Sequence, residues 1–186
     1  MLRPAGDGDV DAMRAWRNQP ANRAVSINQH EISAEEHAGW WARTREDPTR
    51  RVLVFELGER ALGVVSFFDI DHEQRRCAWG FYLDSETVEA EGLALVAWMQ
   101  VMKEATTYAF DTLDVDTLDG EVLAGNEAVR SMNRRFRFTE GPAETREVDG
   151  RTIEVHPISL RREDRRGARK TRPQSSPESS TEEGTR

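Results

Sequence analysis

The sequence predicts a single α/β domain in which a mixed β-sheet carries helices on both faces. Apolar runs separated by turn residues predict a meander of three strands between residues 51 and 83. Apolar positions three or four apart then predict one long helix from Gly92 to Leu113, and further strands follow it. A meander, a crossing helix and a second set of strands are typical of a mixed sheet covered on both sides.

The composition indicates one folded domain followed by a tail. The chain has 186 residues, enough for one domain with a proper core. Residues 1–160 carry 18 basic and 29 acidic side chains, a formal charge of −11, which argues against nucleic-acid binding and suits a cationic or neutral substrate. Charge, Ser and Pro dominate residues 161–186, so we expect a disordered tail there.

Cysteine content and hydropathy restrict the class of protein further. Cys77 is the single cysteine and lies in an apolar run, which predicts a buried structural thiol, no disulfide framework and no cysteine-based metal cluster. No metal site is expected. No apolar stretch approaches the roughly 18 residues that span a bilayer, and the N-terminus lacks a signal-peptide pattern. We therefore expect a cytoplasmic monomer or homodimer without a membrane partner.

The N-terminal third is expected to contain one edge strand and two helices. Leu2–Pro4 can form the edge strand, and apolar residues at helical spacing behind an Asp cap predict a helix over 10–18. Residues 21–32 show no regular pattern. Ser33-Ala-Glu-Glu36 is a capping box, which predicts a second helix reaching about Glu46.

The remaining elements follow from turn signals and periodicity. High apolar content along the second and third strands of the meander predicts that both of their faces are covered. An Asp149-Gly150 pair predicts a hairpin between the last two strands. The predicted strands are Arg51–Leu57, Ala61–Ile70, Cys77–Leu83, Thr117–Leu123, Arg137–Phe138, Thr145–Glu147 and Thr152–Pro157, with a helix from Asn126 to about Arg135.

The turn before the longest helix has the composition of a phosphate site. Gly92 and Ala94 keep this turn narrow. Free backbone N–H groups and the positive end of the helix dipole attract an anionic group such as a diphosphate.

Several motifs in order resemble the GNAT acetyltransferases over residues 2 to about 160. Glu89-x-x-Gly92-x-Ala94 resembles the Arg/Gln-x-x-Gly-x-Gly/Ala signature of that superfamily. The run Asn126–Phe138 resembles its Asn-x-x-Ala-Ile-x-Leu-Tyr-Glu-Lys-Leu-Gly-Phe segment. Trp16-Arg17-Asn18, Glu31–His37 with Trp40, and Trp79–Leu83 are similar to the PseH-like amino-sugar acetyltransferases of pseudaminic acid synthesis and to the broader RimJ/RimL branch.

The resemblance implies a GNAT-like sheet, mostly antiparallel with one splayed parallel strand pair that holds acetyl-CoA or another short acyl-CoA. The backbone of Phe81, Tyr82 and Leu83 would pair with the pantetheine arm, and an N–H there would polarise the thioester carbonyl. The turn would receive the diphosphate, and the helix after Asn126 would flank the pantetheine. The implied cofactor residues in these two segments are Glu89, Ala90, Glu91, Gly92, Leu93, Ala94, Asn126 and Val129.

Catalysis requires a proton acceptor, because an amine must attack the thioester in its neutral form. Glu121 matches the base of related ribosomal enzymes, although a solvent-facing strand Glu is an equally good interpretation. His37 is the second candidate base, and its alternative is a structural role beside Trp40.

Two residues depart from the pattern of the family. Asn133 stands where the family has a Tyr that protonates the leaving thiolate of coenzyme A; the Asn amide could hydrogen-bond to that sulfur but could not donate a proton in the same sense. Glu89 replaces the usual Arg or Gln, which would weaken cofactor binding without excluding it.

The expected reaction is N-acetylation of a primary amine on a small molecule, an amino sugar or a sugar nucleotide. The candidate acceptor-binding residues are Trp16, Arg17, His37, Trp40 and Trp79, although the aromatic ones are core residues by default. Two alternatives stay open. One is N-terminal or lysine acetylation of a protein, and the other is an acyl-CoA-binding module with weak or lost turnover.

Overall fold

A computed structural model describes residues 1–165 of the chain. Within this part, strands and helices follow one another in an order close to that expected. The strands are β1 (Leu2–Pro4), β2 (Arg51–Leu57), β3 (Arg60–Asp71), β4 (Arg76–Leu83), β5 (Thr117–Leu123), β6 (Thr139–Glu140), β7 (Glu144–Val148) and β8 (Arg151–Arg161). The helices are α1 (Val10–Asn18), α2 (Pro20–Ala24), α3 (Ala34–Thr44), α4 (Ser85–Ala90), α5 (Ala94–Thr107) and α6 (Glu127–Arg135).

The strands form one mixed sheet. Their order is β1-β2-β3-β4-β5-β8-β6, and β7 pairs with β8. The pairing of β4 with β5 is parallel, and every other pairing in the described residues is antiparallel. This confirms the predicted fold class, a mostly antiparallel sheet with one parallel pair and flanking helices.

The parallel pair opens towards its C-terminal end. Only Arg76–Ala78 of β4 pairs with β5, at Thr117–Asp119, although β4 continues to Leu83 and β5 to Leu123. The other edges stay paired, β4 with β3 and β5 with β8. The two strands therefore leave an open, V-shaped gap whose facing backbone edges lack strand partners.

Gly92 ends α4 and lets the chain turn, so that a new helix, α5, begins beside this gap. The N–H of Leu93 donates to the carbonyl of Val88 at 2.8 Å, and the N–H of Gly92 donates to that of Glu89 at 3.1 Å. This pair of bonds is a Schellman motif, which needs a left-handed residue, and Gly92 has φ +67°. The single helix predicted for Gly92–Leu113 is therefore wrong at both ends: Gly92 ends α4, and α5 passes into a π-helical turn over Tyr108–Thr112.

Hydrophobic cores lie on both faces of the sheet. The larger core packs α5 and α6 against β3, β4 and β5, and it contains the buried side chains of Phe67, Trp79 and Phe110. A smaller core of Met13, Trp41 and Val64 lies under α1 and α3 on the opposite face. These two cores account for the high apolar content of β3 and β4.

The differences from the predicted elements have local causes. The short helix α2 was missed although Pro20 occupies its first turn, a position that suits proline. The short helix α4 was also missed, and the side chain of Asp84 caps it by accepting from the N–H of Thr87 at 3.3 Å. A strand at Arg137–Phe138 was wrong because Arg137 has φ +70°, so pairing starts only at β6.

The described chain extends past the predicted domain boundary at residue 160. Arg161 ends β8, and Arg162–Asp164 form a 3-10 turn. The disorder predicted for the tail concerns residues 166–186, which lie outside the described residues, so it stays a prediction. Over residues 1–165, no helix has the length and apolar character needed to cross a membrane.

The close approach of β3 to the end of β4 gives the first testable prediction. A Cβ at Gly63 would lie 2.6 Å from the carbonyl oxygen of Tyr82 and 3.0 Å from the Cα of Leu83. Gly63→Ala must therefore shift the backbone, and we expect it to lower the free energy of unfolding in urea by about 1–3 kcal/mol. Gly8→Ala, where a Cβ would meet nothing within 4 Å, is the control. Equal stability of the two variants would contradict the packing described for this strand pair.

Candidate active site

Two cavities meet at the gap between β4 and β5. The first, here called the narrow cavity, has a volume of about 320 Å³ and lies between the gap, α5 and α6. The second, here called the wide cavity, has a volume of about 790 Å³ and lies between β3, β4, β5 and the β6 and β8 strands. The residues common to both linings are Ile27, Trp79, Gly80, Glu121 and Ile158. A ligand in one cavity can therefore touch a ligand in the other.

The backbone of β4 offers polar groups to the narrow cavity. A Cβ on Gly120 of β5 would lie 3.3 Å from the carbonyl oxygen of Trp79, so this carbonyl faces β5. The carbonyl of Tyr82 faces Gly63 on β3 instead. Because strand residues alternate in direction, the N–H and carbonyl of Phe81 face the open gap. The predicted residues Phe81, Tyr82 and Leu83 all line the narrow cavity.

The first turn of α5 supplies free N–H donors beside this cavity. The first intrahelical bond of α5 runs from the N–H of Ala97 to the carbonyl of Leu93. The N–H groups of Ala94, Leu95 and Val96 have no partner among residues 1–165. Ala94 lines the narrow cavity, so the positive end of the helix dipole opens into it.

This placement corrects part of the predicted phosphate turn. The N–H groups of Glu91, Gly92 and Leu93 already donate to carbonyls of α4, and Ala90 lies within that helix. None of these four residues lines the narrow cavity. The side chain of Glu91 is bound by Arg60, with oxygen–nitrogen distances of 2.8 and 2.9 Å. Of the residues that the resemblance implied for the diphosphate, only Ala94 therefore offers a free N–H within residues 1–165, and the other free donors are those of Leu95 and Val96.

Glu89 lines the narrow cavity as an exposed carboxylate. Two arginines of α6 that could have offset its charge are engaged elsewhere. Arg130 binds Glu140 through two contacts of 2.6 and 3.0 Å, and Arg134 binds Glu127. Glu89 places a negative charge near the start of α5.

The start of α6 forms the opposite wall of the narrow cavity. The side-chain oxygen of Asn126 caps α6 by accepting from the N–H of Val129 at 3.3 Å. Asn126 and Val129 both line the narrow cavity, and Asn133 lines it one turn after Val129. The Asn133 side chain is 2 % exposed, and its Nδ2 has no hydrogen-bond partner among the described residues.

Glu121 stands where the cavities meet. It lies on β5, and its carboxylate accepts a hydrogen bond from Arg146 at 2.9 Å and forms an ion-pair contact with the same guanidinium at 2.6 Å. Arg146 also binds Glu144 at 2.9 Å, and the hydrogen bonds to Glu121 and then to Glu144 raise the pKa of the arginine. Arg146 is half-exposed on β7, so an incoming cation can compete with it for Glu121. The carboxylate can accept a proton from a group in the wide cavity.

Most of the predicted acceptor-binding residues lie away from both cavities. Trp16 and Trp40 pack around the smaller core, and Arg17 donates to the carbonyl of Asn28 at 2.6 Å, which holds the segment after α2. His37 is 4 % exposed and lies beside Trp40, and desolvation lowers its pKa. The structure therefore does not bring Trp16, Arg17, His37 or Trp40 to the cleft. Trp79 is the exception, because it lines both cavities.

The structure also identifies cavity residues that the sequence analysis missed. Residues at the end of α2 and just after it cover the narrow cavity, and Asn22 anchors them by donating to the carbonyl of Leu83 at 2.7 Å. The wide cavity contains the carboxylate of Asp69 and the Arg76–Asp119 ion pair at 2.6 Å. No motif marked these residues, since strand pairing alone brings β3, β5 and β8 together.

Comparisons with known proteins identify the family of this chain. The family described as acetyltransferase (GNAT) domain matches residues 1–139. Two curated relatives, both named acetyltransferase PseH and both from Campylobacter jejuni, are 27 % and 25 % identical over 131 residues. Each alignment covers 70 % of this chain and 77 % of the relative.

Solved structures share the fold. A spermidine N-acetyltransferase from Vibrio cholerae, in complex with CoA and spermine, superposes with a TM-score of 0.74. It is 18 % identical, and the superposition covers 88 % of this chain and 96 % of the other. At this identity, the likeness concerns the fold alone.

Proposed function

This chain belongs to the GNAT acetyltransferase family and uses acetyl-CoA as its acyl donor, and we propose that it acetylates a primary amine of an amino sugar or a sugar nucleotide. The observation that carries the proposal is the meeting of a narrow and a wide cavity at Glu121. The narrow cavity suits the extended acyl donor, and the wide cavity suits a compact acceptor.

The narrow cavity fits the donor chemically. The free N–H groups of Ala94, Leu95 and Val96 would hold the diphosphate, because they are unpaired donors at a helix N-terminus. The open backbone edge at Phe81 would pair with the pantetheine arm. Bound acetyl-CoA supplies an activated acyl group, and the Phe81 N–H would donate to its carbonyl oxygen.

The wide cavity has the size and polarity of a small-molecule site. Its volume of about 790 Å³ lies within the range of roughly 300–1,000 Å³ that is usual for such sites. Thr139 and Ser159 offer hydroxyl groups, and Asp69 offers a carboxylate, to a polar acceptor. The similarity to the PseH relatives supports an amino sugar among small amines.

The side chains of this protein take part in only a few steps of the proposed reaction. A cationic amine entering the wide cavity would compete with Arg146 for the Glu121 carboxylate. Glu121 then accepts the amine proton, directly or through a water molecule, and the neutral amine attacks the carbonyl carbon.

Release of coenzyme A thiol across a panel of amines tests the proposal. The panel contains free amino sugars, nucleotide-linked amino sugars, polyamines and peptides with free N-termini. We expect the highest kcat/KM with an amino sugar, free or nucleotide-linked. A higher kcat/KM with a peptide would favour the protein-acetylating alternative. A higher kcat/KM with a polyamine would mean that the acceptor is a polyamine and not an amino sugar. Acetyl-CoA binding without thiol release on any amine would contradict turnover.

Glu89 gives a further prediction. Its carboxylate lies near the expected diphosphate, and repulsion between like charges at an exposed site costs on the order of 1 kcal/mol. We therefore expect Glu89→Gln to lower the Kd for acetyl-CoA about fivefold by isothermal titration calorimetry. Glu86→Gln removes a charge from the same helix outside the cavity and serves as the control. A Kd unchanged by Glu89→Gln would place the diphosphate away from α4.

A further inference from the structure

One carboxylate of the wide cavity is held in a backbone conformation that its residue type rarely adopts. Asp69 lies within β3 and has φ +52°, in the left-handed region where a non-glycine residue is uncommon. The register between β3 and β4 shifts between Phe68 and Asp71, so Asp69 belongs to a β-bulge. Backbone strain of this kind is found preferentially at functional sites.

The bulge turns Asp69 towards the wide cavity. Along β3, the side chains of Phe67 and Ile70 are buried in the larger core, on one face of the sheet. Strict alternation from Phe67 would place Asp69 on that same apolar face, because successive strand residues point to opposite faces. Phe68 and Asp69 instead both line the wide cavity, and Asp69 is exposed. The extra residue of the bulge therefore moves a carboxylate from the core face to the cavity.

Asp69 is available to bind a ligand, unlike the other acidic residues of this cavity. Asp119 and Glu121 each pair with an arginine, at 2.6 Å in both cases. Arg50, whose guanidinium lies over the ring of Phe68, pairs with another aspartate at 3.3 Å. Within residues 1–165, the Asp69 carboxylate has no hydrogen-bond or ion-pair partner. An exposed, unpaired carboxylate that faces a cavity attracts a cationic group of a ligand.

The strand register sets the distance between Asp69 and the proposed base. Phe68, Ala78 and Asp119 are partners across β3, β4 and β5. Asp69 lies one residue beyond this row in one direction, and Glu121 lies two residues beyond it in the other. Two strand spacings of about 4.8 Å and three residues of about 3.3 Å then separate their Cα atoms by about 14 Å. A charge-assisted hydrogen bond of about 2.8 Å at each end leaves roughly 8 Å between two bound nitrogens, the scale of one or two sugar rings.

We propose that Asp69 binds a second cationic group of the acceptor and so selects amines that carry two positive charges. This rests on the proposed function: Glu121 receives the reacting amine, and Asp69 holds an ammonium at the other end of the same molecule. Two carboxylates at this spacing repel a diphosphate, so the free diamino sugar is favoured over a nucleotide-linked sugar. The formal charge of −11 over residues 1–160 attracts such cations to the protein.

Initial-rate kinetics with a matched pair of acceptors tests the proposal. A diamino sugar is compared with its monoamino analogue, in which a hydroxyl replaces the second amine. We expect the wild type to have a KM about tenfold lower for the diamino sugar, because a charge-assisted hydrogen bond is gained at Asp69. In Asp69→Asn this difference in KM should disappear while kcat changes little, because the reacting amine lies at Glu121. Asn and Gly both accept the left-handed conformation, so Asp69→Asn and Asp69→Gly keep the bulge.

Asp149→Asn is the matched control. Asp149 also has a positive φ, +50°, is exposed and lines neither cavity, so this variant should keep the tenfold difference in KM. Equal KM values for the two sugars in the wild type would overturn the proposal. The same result follows if Asp69→Asn and Asp69→Gly keep the wild-type difference. Absence of acetyl transfer to any amine would instead overturn the proposed function and this proposal with it, so the two failures are distinguishable.

Discussion

Replacing Glu121 with glutamine is expected to lower kcat for acetyl transfer by about 10²–10³ while leaving the Kd for acetyl-CoA nearly unchanged. Glu121 is the carboxylate at which the two cavities meet, and an amide of the same shape cannot accept the amine proton. A positioned general base contributes typically 10²–10⁴ to the rate. Steady-state kinetics with the preferred amine, together with calorimetry for acetyl-CoA, measures both quantities.

Glu144→Gln is the matched control for Glu121. Both carboxylates bind Arg146, but Glu144 lines neither cavity. We expect this variant to keep nearly the full kcat. An equal loss of kcat in the two variants would mean that the effect comes from the ion pairs of Arg146. A wild-type kcat in Glu121→Gln would show that Glu121 is not the base.

The second large effect is expected from an acidic residue at the start of α5. Ala94→Asp places a carboxylate in the first turn, where it stabilises the helix through the dipole but repels a diphosphate. At an effective dielectric constant near 20, such repulsion amounts to about 1–3 kcal/mol, so the Kd for acetyl-CoA should rise about ten- to hundredfold. Calorimetry gives the Kd, and urea unfolding checks that the variant stays folded, since Ala94 packs against the larger core.

Two variants separate charge from other effects of that substitution. Ala94→Asn has nearly the same size without the charge and should lose much less affinity. Ala34→Asp makes the same change in the first turn of α3, which is outside both cavities, and should not alter the Kd. Equal weakening by Ala94→Asp and Ala94→Asn would mean that the diphosphate does not lie at this helix.

The elements that sequence reasoning recovered are those with long periodic patterns. The meander, α5 and the strand–helix unit from Thr117 to Arg135 were predicted within a few residues. The short helices α2 and α4 were missed because five or six residues give no period. Their signals were Pro20 and the Asp84 cap, which are local and easily overlooked.

The candidate site was predictable only where residues follow one another in a motif. Phe81–Leu83 and Asn126 line the narrow cavity, and a strand or a helix cap sets their neighbours; their role in cofactor binding stays a prediction. The acceptor-binding residues could not be recognised in this way, because Trp16 and Trp40 have the same side-chain chemistry whether they pack in a core or face a ligand. The wide cavity depends on which strands pair across the sheet, and local sequence does not encode that pairing.

A crystal structure of the full chain with coenzyme A tests the central claim most directly. We expect the pantetheine arm to run along the backbone at Phe81 and the diphosphate to accept from the N–H groups of Ala94, Leu95 and Val96. A diphosphate bound elsewhere, or a gap between β4 and β5 that stays closed to the ligand, would contradict it.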